Sequence, residues 1–308
     1  MNLASFHSAL AKTLLQSSGL ETQRSQQISP RLEEQRRVIW SIFLLDYICG
    51  QQQMIPSLIE DIHSPRYLKM EGIIRRISGP CASLPHESYN DEEEESIGIW
   101  GHMVSMVSLW TAVRHYVASC AEGDLKAPWK PDSIYTLINS HLLDMERSFP
   151  DFYRYDSANF SERSVAEITA KREYWLPWLR VQINYHLIHC MLNHPFLLSS
   201  SKPRTITGTN AFWKTASQLA LLHSTWISRL LEMAKEKNLQ LSDSSFTYAA
   251  IVAATLHTYW SRAADATVRS SARKHLEICR AFVTETGPQW PVCQSMVSNV
   301  LCCHRYGH

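Results

Sequence analysis

Apolar residues recur along most of this chain with helical spacing, and nowhere do they alternate with polar ones over a useful length. Residues 97–120 place Met103, Met106, Val107, Trp110, Val113 and Val117 at steps of three and four, the pattern of one buried helical stripe. The same period runs through 132–149 (Ile134, Leu137, Ile138, Leu142, Met145), with Asp132 as the expected N-cap. It returns in 211–236 (Phe212, Leu219, Leu222, Trp226, Leu230, Met233), with Thr209 or Asn210 as cap. Residues 33–49 are apolar nearly all round the helix, which predicts a central position. The stretch 165–194 is long, and Pro177 lacks the N–H an interior helical position needs. One helix is therefore expected before Pro177 and another from Trp178 to His194, closed by Pro195. Residues 244–262, 264–284 and 290–303 complete the helices. Pro, Gly and Ser place loops at 17–30, 51–65, 78–96, 122–131, 150–164 and 199–208. The fold class this predicts is all-α: a compact multi-helix body without a sheet, a single helical domain over residues 1–308.

Composition narrows the function. With 308 residues, 45% of them hydrophobic, and ten tryptophans, the chain can bury a thick core. Its 30 basic and 29 acidic residues give a net charge of +1. A surface that grips nucleic acid by itself carries a basic excess, because each phosphate contact releases counterions; none is present, and the acidic run Asp91–Glu95 works against it locally. That run reads as part of a solvated loop, about 78–96, in preference to an acidic activation or docking segment. The eight cysteines are irregularly spaced with no C-x-x-C, which predicts free buried thiols in a reducing compartment. Residues 1–15 lack the basic and apolar regions of a secretory leader, and no membrane span is expected.

Three stretches resemble one family. The first is Glu34-Gln35-Arg36-Arg37-Val38-Ile39-Trp40-Ser41-Ile42-Phe43-Leu44-Leu45-Asp46. The second runs from Tyr185-His186-Leu187 to Leu192-Asn193-His194-Pro195-Phe196. The third runs from Ser245-Phe246-Thr247-Tyr248-Ala249-Ala250 to Ala254-Thr255-Leu256-His257, followed by Cys279 and Gln289-Trp290-Pro291. In this order they are similar to the motifs of the fungal-specific transcription factor domain, the middle homology region of fungal binuclear zinc-cluster transcription factors. The resemblance spans roughly residues 9–303. It departs from the family pattern at Val38 and Ile39, at Tyr47 after the Asp, and at Gly50-Gln51-Gln52-Gln53. The family opens with helices ahead of the point matching residues 9–20, so Met1 reads as a start inside the domain. The family's six-cysteine zinc cluster is absent: the first 48 residues contain no cysteine.

The resemblance implies a nuclear regulatory region of a protein that controls transcription by RNA polymerase II. Zinc and DNA would be held only by the missing cluster. The partners it implies are a second copy in a homodimer, other transcription proteins or a small-molecule effector. The alternative is a free-standing helical adaptor that has lost DNA binding. The residues carried over as family-motif structural positions are Arg36, Arg37, Trp40, Asp46, Tyr185, His186, His194, Pro195, Phe196, Trp290 and Pro291.

Chemical candidates are few. His186 and Cys190 are i,i+4, a spacing that can hold a metal, with His189 and His194 nearby. A structural site needs four converging ligands, so packing and capping roles are expected. Cys302, Cys303, His304 and His308 form a second group at the chain end, with the same expectation. Arg36, Arg37 and Asp46 on the most apolar helix read as a structural ion pair or cap. No G-x-S-x-G, H-E-x-x-H, Walker loop or G-x-G-x-x-G occurs. The chain is therefore expected to be no enzyme, with no catalytic residue and no metal of its own.

Overall fold

The structure is a computed structural model that describes residues 3–17, 38, 41–42, 99–122, 127–195, 210–290 and 293. Among the described residues the chain is all-α, with no strand. Its helices are α1 (Leu3–Ser17), α2 (Ile99–Glu122), α3 (Ile134–Ser148), α4 (Tyr155–Ala158), α5 (Val165–Ala170), α6 (Arg172–Leu192), α7 (Asn210–Glu236), α8 (Ser244–Trp260) and α9 (Ala266–Thr286). Short 3-10 turns at Asp151–Tyr153, Phe160–Glu162 and Gly287–Gln289 join some of them. No helix among the described residues is long and apolar enough to cross a membrane.

The chain divides into two compact units, Met1–Ser108 and Leu109–His308, the boundary falling within α2. In the first unit, α1 is a helix the pattern reading passes over. It leaves Phe6, Leu10 and Leu14 exposed at four-residue steps and buries Lys12. The α2 residues of this unit bury Met103, Met106 and Val107, as their spacing predicts. Val38, Ser41 and Ile42 are helical, but Val38 is 46% exposed, short of the all-round burial expected for 33–49. The rest of that helix, with Arg36, Arg37, Trp40 and Asp46, lies outside the described residues, as does the 78–96 loop.

The second unit is built on α6, α7, α8 and α9. α7 contacts each of the other three, and α8 also packs on α6 and α9. The face of α8 explains how so many helices approach one element. Ala249, Ala250, Ala253 and Ala254 are all fully buried, and these short side chains let neighbouring backbones come close. Two carboxylates start the last two helices: Asp243 accepts the Ser245 N–H at 2.7 Å, and Asp265 accepts those of Thr267 and Val268 at 2.8 and 3.2 Å. α7 ends with Asn238 in the left-handed region (φ 53°). The Leu239 N–H reaches back to the Ala234 carbonyl at 2.9 Å and the Asn238 N–H to Lys235 at 3.1 Å, the paired closure of a Schellman motif.

Three sequence expectations are corrected. The N-cap of α3 is Ser133, whose hydroxyl accepts the Thr136 N–H at 3.1 Å, and not Asp132. The break in 165–194 falls at Lys171 instead of Pro177. Ser164 and Glu167 form a reciprocal capping box that starts α5 afresh, while Pro177 sits in the second turn of a continuous α6, where it deprives only the Glu173 carbonyl of a partner. The loop expected at 150–164 is largely short helical turns that bury Tyr153, Ala158 and Phe160. Phe160 packs on Trp175 and Trp178 with ring centroids 5.3 and 5.2 Å away, and the Trp178 indole donates to the Tyr153 carbonyl at 2.7 Å.

A candidate site: a histidine seam between two helices

The most chemically loaded place in the second unit is the contact of α6 with α7. Tyr185, His186 and His189 fall on one face of α6 because they are three and four residues apart; His223 and Trp226 do the same on α7. The two faces meet ring to ring. His189 stacks on His223, with centroids 4.0 Å apart and planes 7° from parallel. His186 Nδ1 lies 2.8 Å from His223 Nδ1. On its other side His186 is parallel to Trp226 (5.7 Å, 6°), over which Arg229 places its guanidinium at 4.7 Å. Tyr185 stands edge-on to all three imidazoles, at 5.3, 4.8 and 5.8 Å from His186, His189 and His223. Its hydroxyl donates to Glu146 on α3 at 3.3 Å.

The 2.8 Å contact fixes the protons. One Nδ1 must donate and the other accept, so neutral His186 and His223 are opposite tautomers. His189 has no such bond: both its ring nitrogens are buried without a hydrogen-bond partner. Burial disfavours the charged imidazolium in each ring and lowers their pKa values from 6.5 to about 3 for His186, about 4 for His189 and about 2 for His223. Their mutual repulsion lowers His186 and His223 further.

A metal does not fit this arrangement. Two nitrogens bound at 2.0–2.1 Å to one tetrahedral ion stand about 3.3 Å apart, farther than His186 and His223. The parallel rings of His189 and His223 do not aim their lone pairs at one point. Cys190 points elsewhere, its thiol 3.9 Å from the Ala220 carbonyl and its pKa pushed well up by burial. Among the described residues no group of three or more His, Cys, Asp or Glu is arranged to hold a metal.

A second polar layer lies deeper. Ser228 Oγ is 2.8 Å from His275 Nδ1 and donates to the Thr225 carbonyl at 2.9 Å; His257 stacks on His275 at 5.4 Å. A Ser–His contact suggests nucleophilic chemistry, but Ser228 is fully buried and its hydroxyl is committed to the core.

Of the family-motif positions, Tyr185 and His186 lie in the seam. His194 follows the end of α6 and bonds Thr255 on α8 at 3.2 Å. Pro195 comes after the Asn193 C-cap, so α6 closes before it as expected. Trp290 follows the last 3-10 turn, far along the chain from the seam. Phe196 and Pro291 lie outside the described residues, as does the 302–308 group. The sequence reading missed His223 because its partners are 34 and 37 residues away. The only signal was a histidine inside the α7 pattern, off the Leu and Trp stripe. Compared with known proteins, the chain matches no family model, no curated protein and no solved structure.

Proposed function

We propose that this chain is the regulatory helical region of a fungal zinc-cluster transcription factor, acting in the nucleus on transcription by RNA polymerase II. The observation that carries the reading is where the family-like stretches fall. Residues 185–195 belong to α6 and its end, 245–257 to α8, and Cys279 to α9, and α8 packs on both α6 and α9. Motifs remote in sequence thus contribute to one core. Such a body transmits a signal when an effector or partner protein binds one of two packing arrangements better than the other. DNA is contacted by a separate zinc-binding module, and the helical region contributes regulation, by itself or as a homodimer.

The test is to fuse residues 1–308 to an unrelated DNA-binding domain and place its operator before a reporter gene in a fungal nucleus. Reporter output should differ severalfold from the DNA-binding domain alone. Equal output from a fusion shown to be nuclear and intact would overturn the proposal.

A further inference from the structure

We propose that His186, His189 and His223 form a proton-operated latch between α6 and α7, which stays closed with at most one bound proton and opens when a second arrives. The latch stands apart from the transcriptional reading, because it concerns the bundle whatever the bundle regulates.

The argument is one of hydrogen counting. In the neutral seam, one Nδ1–H of the His186–His223 pair is donated to the other Nδ1 across 2.8 Å. A single proton added to the pair can be shared along that bond without breaking it. A second makes both Nδ1 atoms donors, and two N–H groups cannot face each other at that distance. The His189–His223 stack obeys the same rule, since two imidazolium rings 4.0 Å apart repel. A second proton on His223 conflicts with one of these two contacts, and protons on His186 and His189 together, three residues apart on α6, repel each other.

Among the described residues no anion is bonded to these rings to offset that charge. Around the rings, α6 contributes Tyr185, a phenol whose own ionisation burial pushes up, and α7 contributes Trp226 with Arg229 over its ring. α3 contributes Glu146, which is bonded to the Tyr185 hydroxyl and to none of the imidazoles. Among the described residues, no carboxylate is bonded to any of the three rings. Opening the contact wets the imidazoles and returns each to an ordinary pKa of about 6.5, so protons drive opening as the pH falls below that value. Elsewhere His194 bonds Thr255 and His275 bonds Ser228, hydroxyls that can accept as well as donate, and the His257–His275 stack is wider, with centroids 5.4 Å apart.

The experiment is amide hydrogen exchange on the full chain from pH 7.5 to 4.5, corrected for the intrinsic pH dependence of exchange. Segments 182–192 and 219–229 should lose protection first, with the logarithm of the opening constant rising by more than one unit per pH unit, while 268–283 in α9 stays protected. His189→Phe keeps a stacked ring but removes a proton site, and should lower that slope by about one. His223→Gln should abolish the excess slope. His115→Gln, at an exposed position, should change nothing. Simultaneous loss of protection across all helices, a seam that stays protected to pH 4.5, or a slope unchanged by both seam variants would each overturn the latch. If neither variant is helical at pH 7.5, the parent chain decides: a slope of one or less rejects it.

Discussion

Arg180 is the most exacting single residue outside the seam. It leaves α6 to pair with Asp243, reaches the Ser245 hydroxyl at 3.4 Å and lies 5.8 Å above the Phe246 ring, with only 12% of its side chain exposed. Asp243 is 19% exposed and caps α8 at the same time. The pair thus fixes where α8 begins relative to α6. Removing one partner leaves the other charge half-buried and uncompensated, which costs more than the pair itself contributes. Arg180→Ala is expected to lower the unfolding free energy by about 3 kcal/mol, read from the urea midpoint at unchanged m-value. A loss under about 0.5 kcal/mol would instead class the contact with exposed pairs. Nothing in the sequence marks Arg180 and Asp243 as neighbours; they are one arginine and one aspartate among 30 basic and 29 acidic residues.

At the level of elements, α8 and α5 give opposite kinds of prediction. Ala253 lies fully buried on the α8 face packed among α6, α7 and α9, so a larger side chain has nowhere to go. Ala253→Leu should cost about 1–3 kcal/mol or more through overpacking, visible as a lower melting temperature. Ser164→Ala removes one half of the α5 capping box and should cost about 1 kcal/mol, with circular dichroism nearly unchanged because α5 is one short helix. The existence of the long helices was legible because period and length agree: α2, α3, α7, α8 and α9 stand where apolar spacing puts them. Their orientation was less so. On α7 the expected stripe included Leu230, which is fully buried, but also Leu222, which is 51% exposed, whereas the rest of the buried face carries small and polar residues such as Ala216, Ala220, His223, Ser224 and Ser228. On α3, Ile134 and Leu137 are exposed and only Ile138 and Leu142 of the stripe are fully buried. Periodicity counts oily residues, but close helix packing selects small ones, and a polar side chain is buried when another helix supplies its partner. That is why Tyr185, His186 and His194 could be singled out from one helix, while their meeting with His223 could not.

The described residues include several buried imidazoles held neutral, and together they shape how the molecule responds to acid. Besides the seam, burial lowers His194 and His257 to about 4, and it lowers His275 as well. In each case the folded pKa lies below the unfolded value of 6.5. The unfolded chain therefore binds these protons first, and stability present above pH 6.5 is lost as the pH falls toward 4. His194 and His257, lowered to about 4, each contribute a slope of about 1.4 kcal/mol per pH unit within that window. Carboxylates do not reverse the trend: Glu167 is lowered by its bonds to Ser164, which adds a loss at still lower pH. The urea midpoint should be highest near pH 7–8 and fall as the pH drops below 6.5. A midpoint flat from pH 7.5 to 5 would mean that the buried rings are hydrated in the native state, and the acid response would then have to come from carboxylates near pH 4.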